Sequence, residues 1–260
     1  MKRVVWLVAG TSEGRKLAAE LARMGVLVYV SVVTEYGASL LMEHENIIVL
    51  QKRLDYEDMC AFLRLHEPEL VVDATHPYAT EVTENLKRAC SQAKCEYLRV
   101  VRPESKYPCQ AIVVQSFPEA VELLSHTKGS IFLTTGSKDL PVFAQLPDYQ
   151  TRIALRILPS QVSLQKALEL GFKRERIVCM QGPFAKDLNQ AMFRHFGVSY
   201  VVTKDSGDAG GFADKLEACL EVGAELIVIG RSEETGQGFK AVLEILKNRF
   251  TDKGDCHAGD

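Results

Sequence analysis

The run Leu70-Val71-Val72-Asp73-Ala74 has the pattern of a buried strand, and it delivers Thr75, His76, Pro77 and Tyr78 in quick succession. Imidazole and phenol side chains can pass a proton to a bound substrate, and a carboxylate or hydroxyl beside them can orient them. A single histidine is more often a structural hydrogen-bonding group. Four polar or aromatic groups on one proline-stiffened loop at a strand's carboxyl end point instead to function. His76 is the only one of the six histidines in such a setting. His76 and Tyr78 are therefore the candidate catalytic residues, with Asp73 and Thr75 beside them.

A second site-forming pattern lies at the start of the chain. Val4–Val8 runs into Gly10-Thr11-Ser12-Glu13-Gly14-Arg15 and then into a helix pattern. A glycine turn at a helix start turns backbone N–H groups and hydroxyls toward the positive end of the helix, which suits the pyrophosphate of a dinucleotide. With only Gly10 and Gly14 it falls short of G-x-G-x-x-G, and strand–glycine–helix turns also arise for geometric reasons alone. In dinucleotide folds the second strand often ends in an acid that holds the ribose. Glu35 has that position and suits NADH, whereas Arg15 or Arg53 could meet a 2′-phosphate and suit NADPH.

The second half is rich in basic groups near strand ends. Lys138 follows Gly136-Ser137, Arg152 and Arg156 flank one strand, and Lys204-Asp205-Ser206-Gly207 follows another. Gly210-Gly211 then opens a helix bearing Lys215. Any one of these is ordinarily a solvated turn; several on one edge would form an anion site. Tyr200-Val201-Val202-Thr203-Lys204 matches the Y-x-x-x-K of short-chain dehydrogenases in letters only. That chemistry needs the pair one helical turn apart, and this segment reads as a strand.

These loops need a scaffold of alternating elements. Strands are predicted at Val4–Val8, Val28–Val33, Ile47–Leu50, Leu70–Ala74, Tyr97–Val101, Ala111–Val114, Ile131–Thr135, Arg152–Leu155, Ile177–Met180, Tyr200–Thr203 and Leu226–Ile229, with helical patterns between them. Glu13–Met24 places Leu17, Leu21 and Met24 on one face before Gly25, and Asp55 is set to cap a helix ending near His66. This is an α/β protein of two Rossmann-like domains with mostly parallel sheets and an inter-domain cleft, where ligands meet the strands' carboxyl ends. The polar, proline-bearing stretch Arg102–Pro108 divides residues 1–101 from 102–250, and 251–260 form a flexible tail.

Composition limits the partners. Of 260 residues, 47% are hydrophobic and the net charge is −3, so no overall basic field invites nucleic acid. No run approaches the ~18 apolar residues of a membrane span, and the amino terminus lacks a cleavage site, which predicts a cytoplasmic protein. Seven scattered cysteines without C-x-x-C read as buried thiols. No metal site is expected. A monomer or small homo-oligomer is expected.

In order along the chain, Gly10-Thr11-Ser12-Glu13-Gly14-Arg15, Arg53-Leu54-Asp55, Asp73-Ala74-Thr75-His76-Pro77-Tyr78-Ala79 and Arg99-Val100-Val101-Arg102-Pro103 resemble the precorrin-6A and cobalt-precorrin-6A reductase family. Thr134-Thr135-Gly136-Ser137-Lys138, Arg156-Ile157-Leu158-Pro159, Gln181-Gly182-Pro183-Phe184 and Thr203-Lys204-Asp205-Ser206-Gly207 with Gly210-Gly211 and Lys215 continue the resemblance. It implies NADPH or NADH as cofactor and reduction of one macrocycle double bond to the 6B form in cobalamin biosynthesis. Thr34-Glu35-Tyr36-Gly37 resembles the cobalt-first branch. Gly230-Arg231-Ser232 departs from the Arg-Pro pair usual after the last strand. On this resemblance Gly10, Thr11, Ser12, Glu13, Gly14, Arg15, Arg53, Asp73 and Thr75 would bind the cofactor. Lys138, Arg152, Arg156, Lys204, Asp205, Ser206 and Lys215 would bind the anionic tetrapyrrole, and His76 or Tyr78, a water, or a substrate acid would supply the proton. The alternatives are another small-molecule NAD(P)H oxidoreductase and a non-catalytic nucleotide- or anion-binding module.

Overall fold

The computed structural model describes residues 2–102, 111–205, 211–230 and 235–251. The chain forms two compact units, Met1–Pro103 with Glu233–Asp260 and Glu104–Ser232.

The first unit is built on strands β1 (Val4–Ala9), β2 (Leu27–Val32), β3 (Ile47–Gln51), β4 (Leu70–Ala74), β5 (Tyr97–Val101) and the last strand of the chain, β12 (Gln237–Gly238). Every ladder is parallel, in the order β3-β2-β1-β4-β5-β12. The chain adds β2 and β3 on one side of β1 and β4 and β5 on the other, so the winding reverses between β1 and β4, which is the topological switch point of a dinucleotide fold. Side chains alternate across this sheet. Val5 and Leu7 of β1 and Leu70 and Val72 of β4 pack with Leu17 and Leu21 of α1 (Ser12–Arg23) and with Val242 and Leu246 of α11 (Phe239–Thr251). Trp6, Val8 and Val71 face the other way, onto Met59 and Leu63 of α3 (Tyr56–His66) and Leu86 and Ala89 of α4 (Thr80–Ala93). Asp55 caps α3 through a reciprocal box with Asp58, as the sequence predicts.

The chain thus returns to the first unit after crossing the second, which corrects the expected assignment of all of 102–250 to one C-terminal domain. The physical reason is burial: Val242, Leu246 and Phe250 close one face of the first sheet, and β12 pairs with β5. Gly236 makes that approach possible, because a Cβ there would lie 2.6 Å from Val101 Cγ1 and 2.7 Å from the Arg99 carbonyl oxygen. The expected tail loses its first residue to α11, which runs to Thr251; 252–260 lie outside the described residues.

The second unit repeats the plan with β6 (Ala111–Val114), β7 (Ser130–Leu133), β8 (Ile153–Ile157), β9 (Ile177–Cys179), β10 (Val198–Lys204) and β11 (Glu225–Ile229). Its order, β9-β8-β7-β10-β11-β6, is again wholly parallel, with the switch point between β7 and β10. One face of this sheet packs Phe132, Ala154, Val201 and Val228 against Phe193 of α9 (Lys186–His195) and Phe212 and Ala218 of α10 (Phe212–Val222). Among the described cysteines, Cys60, Cys90 and Cys219 are buried, whereas Cys179 at the end of β9 is exposed, against expectation. Among the described residues no helix is long and apolar enough to cross a membrane.

Candidate active site

In the first unit, the loops after β1 and β4 abut at the switch point. Thr11 caps α1 by accepting from the Gly14 amide at 3.2 Å, and its hydroxyl donates to the Ala74 carbonyl at 2.8 Å. One side chain thereby ties the helix start to the end of β4. Gly14 lets α1 lie close on the sheet, since a Cβ would sit 3.1 Å from Ala9 Cβ and 3.3 Å from Ala74 Cβ. At Gly10 the nearest neighbour of a Cβ would be the His76 amide nitrogen at 3.9 Å, so the two loops run side by side.

Asp73 is fully enclosed and is the hub of the β4 end. Its Oδ1 accepts from the Thr75 amide (3.0 Å), the Thr75 hydroxyl (2.7 Å) and Arg99 Nη1 (2.8 Å). Its Oδ2 accepts from the hydroxyls of Thr83 and Tyr97, both at 2.8 Å. Arg99 Nη1 also donates to the Thr75 carbonyl at 3.1 Å. Burial, and then the negative charge of Asp73, push the Tyr97 phenol well above its ordinary value, so it stays protonated and donates. A buried carboxylate satisfied in this way is a rigid anchor rather than a ligand contact. Asp73 and Thr75 therefore do not present their polar groups as the sequence reading expects; they fix the loop that carries His76 and Tyr78.

His76 and Tyr78 are half-buried, with ring centroids 5.7 Å apart. The Tyr78 amide donates to His76 Nδ1 at 3.3 Å. That bond leaves the proton of the neutral ring on Nε2. Glu35 is exposed just past β2, where dinucleotide folds place a ribose-binding acid. Arg53 is exposed and paired with Glu81 at 3.4 Å. Arg15 has no ion partner among the described residues.

In the second unit, Thr134 and Thr135 lie past the end of β7 rather than within it. The Thr134 hydroxyl donates to the Val202 carbonyl at 3.0 Å, while the buried Thr135 hydroxyl has no hydrogen-bond partner among the described residues. Lys204, at the end of β10, pairs with Asp139 at 2.8 Å. Lys138 is exposed on the same loop, and Asp205 is fully enclosed. Ser206 lies outside the described residues. Beneath α9 and α10, Arg156 stacks 3.5 Å above the Phe184 ring and donates to Asn189 Oδ1 at 2.8 Å. Burial lowers its guanidinium to about 10. Lys215, also buried, is lowered to about 8 by burial and then by the charge of Arg156. Two enclosed basic groups, Arg156 and Lys215, thus lie toward the carboxyl end of this parallel sheet, where Asp205 is buried as well.

Arg152 does not join them. It precedes β8 and so lies at the amino-terminal edge of the sheet, donating to the carbonyls of Gly129 (3.0 Å) and Leu124 (3.4 Å). It caps backbone at the edge opposite Lys204.

The sequence model of the family described as "Precorrin-6x reductase CbiJ/CobK" matches residues 4–248. The chain belongs to this family. Among curated relatives of this reductase family, the cobalt-precorrin-6A reductase of Priestia megaterium is 35% identical over 94% of this chain and 96% of its own. That of Salmonella typhimurium is 36% identical over 87% of each. A solved structure titled "CobK precorrin-6A reductase" superposes with a TM-score of 0.74 at 23% identity, covering 95% of this chain and 97% of that one, which bears on the fold. Tyr97 and Thr83, which hold Asp73, were not singled out in the sequence, and Arg99 entered only as part of a family motif with no role given. The available signal was an arginine in the middle of an apolar strand, two residues from a tyrosine and thus on its face, with an acid on the neighbouring strand.

The Lys215 environment makes a pH prediction. Its folded value of about 8 lies below the ordinary 10.5, so folding releases a proton between those limits. Stability therefore rises with pH across that window and falls on returning to neutral pH. Thermal unfolding from pH 7 to 10.5 should show this rise in the parent and lack it in Lys215→Met; identical pH dependence in the two would contradict the assigned environment.

Proposed function

We propose that this chain reduces one double bond of precorrin-6A, in its cobalt-bearing form, with a nicotinamide dinucleotide, yielding the 6B macrocycle of cobalamin biosynthesis. The observation that carries this reading is the family match across residues 4–248. The names of the Priestia and Salmonella relatives favour the cobalt-bearing substrate.

The residues at the first switch point fit a dinucleotide. The α1 start offers N–H groups and the dipole of a twelve-residue helix, Gly14 holds that helix against the sheet, and Glu35 stands where ribose hydroxyls would reach it. Glu35 would favour NADH, and Arg15 would meet the 2′-phosphate of NADPH. When bound, the nicotinamide supplies the hydride. The chain's own task is alignment and proton delivery. His76, through its imidazolium form, and the Tyr78 hydroxyl, on a loop anchored through Asp73, are the groups assigned to donate toward the carbon adjacent to hydride addition. Lys138, Lys204, Arg156 and Lys215 would hold peripheral carboxylates of the macrocycle by charge-assisted hydrogen bonds. The buried Thr135 hydroxyl adds a donor at the same strand end. Anaerobic incubation with cobalt-precorrin-6A and precorrin-6A, each with NADPH and NADH, tests the reading and separates the cofactors.

A further inference from the structure

The start of α1 already holds an anion. Glu13, in the first turn, accepts from the Ser12 hydroxyl at 3.0 Å and pairs through the same Oε2 with Arg102 at 2.5 Å. Arg102 follows β5, so its guanidinium crosses the end of β4 to reach the helix that follows β1. Both side chains are largely buried, at 12% and 19% exposure. Burial alone would raise the Glu13 carboxyl, yet the Arg102 contact and local hydrogen bonding hold it below its ordinary value.

A hydroxyl at a helix start and an arginine fork are donors that also grip a phosphate. A carboxylate seated on them competes with any incoming phosphate by occupying the donors and by like charge. On the reading that the first unit binds a nicotinamide dinucleotide, we propose that Arg102 binds the cofactor's pyrophosphate and that Glu13 is a built-in competitor for it. Cofactor binding displaces the Glu13 carboxylate and transfers Arg102 to the phosphate. The device lowers resting affinity and speeds release of the oxidised cofactor. It differs from the ribose-reading acid Glu35, because it acts on the pyrophosphate that NADH and NADPH share.

The test is direct nucleotide titration, followed by nicotinamide fluorescence, on the full-length protein and on Glu13→Gln, Arg102→Gln and Arg102→Lys, with thermal unfolding to verify folding. Glu13→Gln keeps the shape of the side chain and removes its charge. It should tighten binding of NADH and NADPH alike by about five- to tenfold, the size of one charge-assisted contact. Arg102→Gln should weaken both by about tenfold or more, Arg102→Lys should recover part of that loss, and Glu13→Gln added to Arg102→Gln should tighten binding much less. Unchanged or weaker binding by Glu13→Gln overturns the proposal, as does tightening confined to NADPH, which would place Arg102 on the 2′-phosphate. If the parent protein binds neither nucleotide, the dinucleotide reading of this unit fails and the competitor role fails with it. Binding by the parent without tightening in Glu13→Gln removes the competitor role alone.

Discussion

Asp73→Ala should lower unfolding stability by about 3–5 kcal/mol, as removal of one member of a buried ion pair does. The carboxylate receives five hydrogen bonds, and its principal cation, Arg99, has a side chain only 2% exposed. Without it, Arg99 loses the partner that offsets its desolvation, and the Thr75, Thr83 and Tyr97 hydroxyls lose their common acceptor. Asp73→Asn keeps the shape but not the charge and should cost less than Asp73→Ala while remaining clearly destabilising. Urea unfolding read by the single tryptophan, Trp6, in the same sheet, measures both. A loss below about 1 kcal/mol would mean that the network is solvated and weak.

His76→Ala should reduce turnover by about 10²–10³-fold, the range for loss of a general acid, while changing dinucleotide affinity little. The separation follows from the geometry. The His76 ring is oriented through the Tyr78 amide, whereas the dinucleotide donors belong to the α1 start. Tyr78→Phe keeps that amide and removes only the hydroxyl, so it reports on the phenol independently. If His76→Ala leaves turnover unchanged, the proton comes from Tyr78, water or a substrate acid, and His76 leaves the mechanism. If it weakens dinucleotide binding as strongly as it slows turnover, the β4 loop belongs to the cofactor instead.

The scaffold was legible because buried parallel strands carry continuous apolar runs. Leu70–Ala74 and Tyr97–Val101 match their predicted bounds, and the acid at Asp55 announces the start of α3. The two-residue β12 was not legible, since it has no periodicity and its partner strand lies more than a hundred residues earlier. The same long return put α11 in the wrong unit. Arg152 illustrates a finer ambiguity: a basic residue touching a strand can stand at either edge of the sheet, and whether it enters or leaves the strand decides between an anion site and a backbone cap. Asp73 was recognised as important for its position. Its role as an anchor followed only from the geometry, because burial of a carboxylate depends on partners drawn from β5 and α4 that local sequence does not announce.

The most direct measurement is anaerobic turnover of cobalt-precorrin-6A with NADH or NADPH carrying deuterium at the transferable position of the nicotinamide. The expected result is stoichiometric oxidation of the cofactor and a product heavier by one deuterium and one hydrogen, with the deuterium on a macrocycle carbon. Folded protein that binds cofactor and macrocycle yet transfers no deuterium would contradict it.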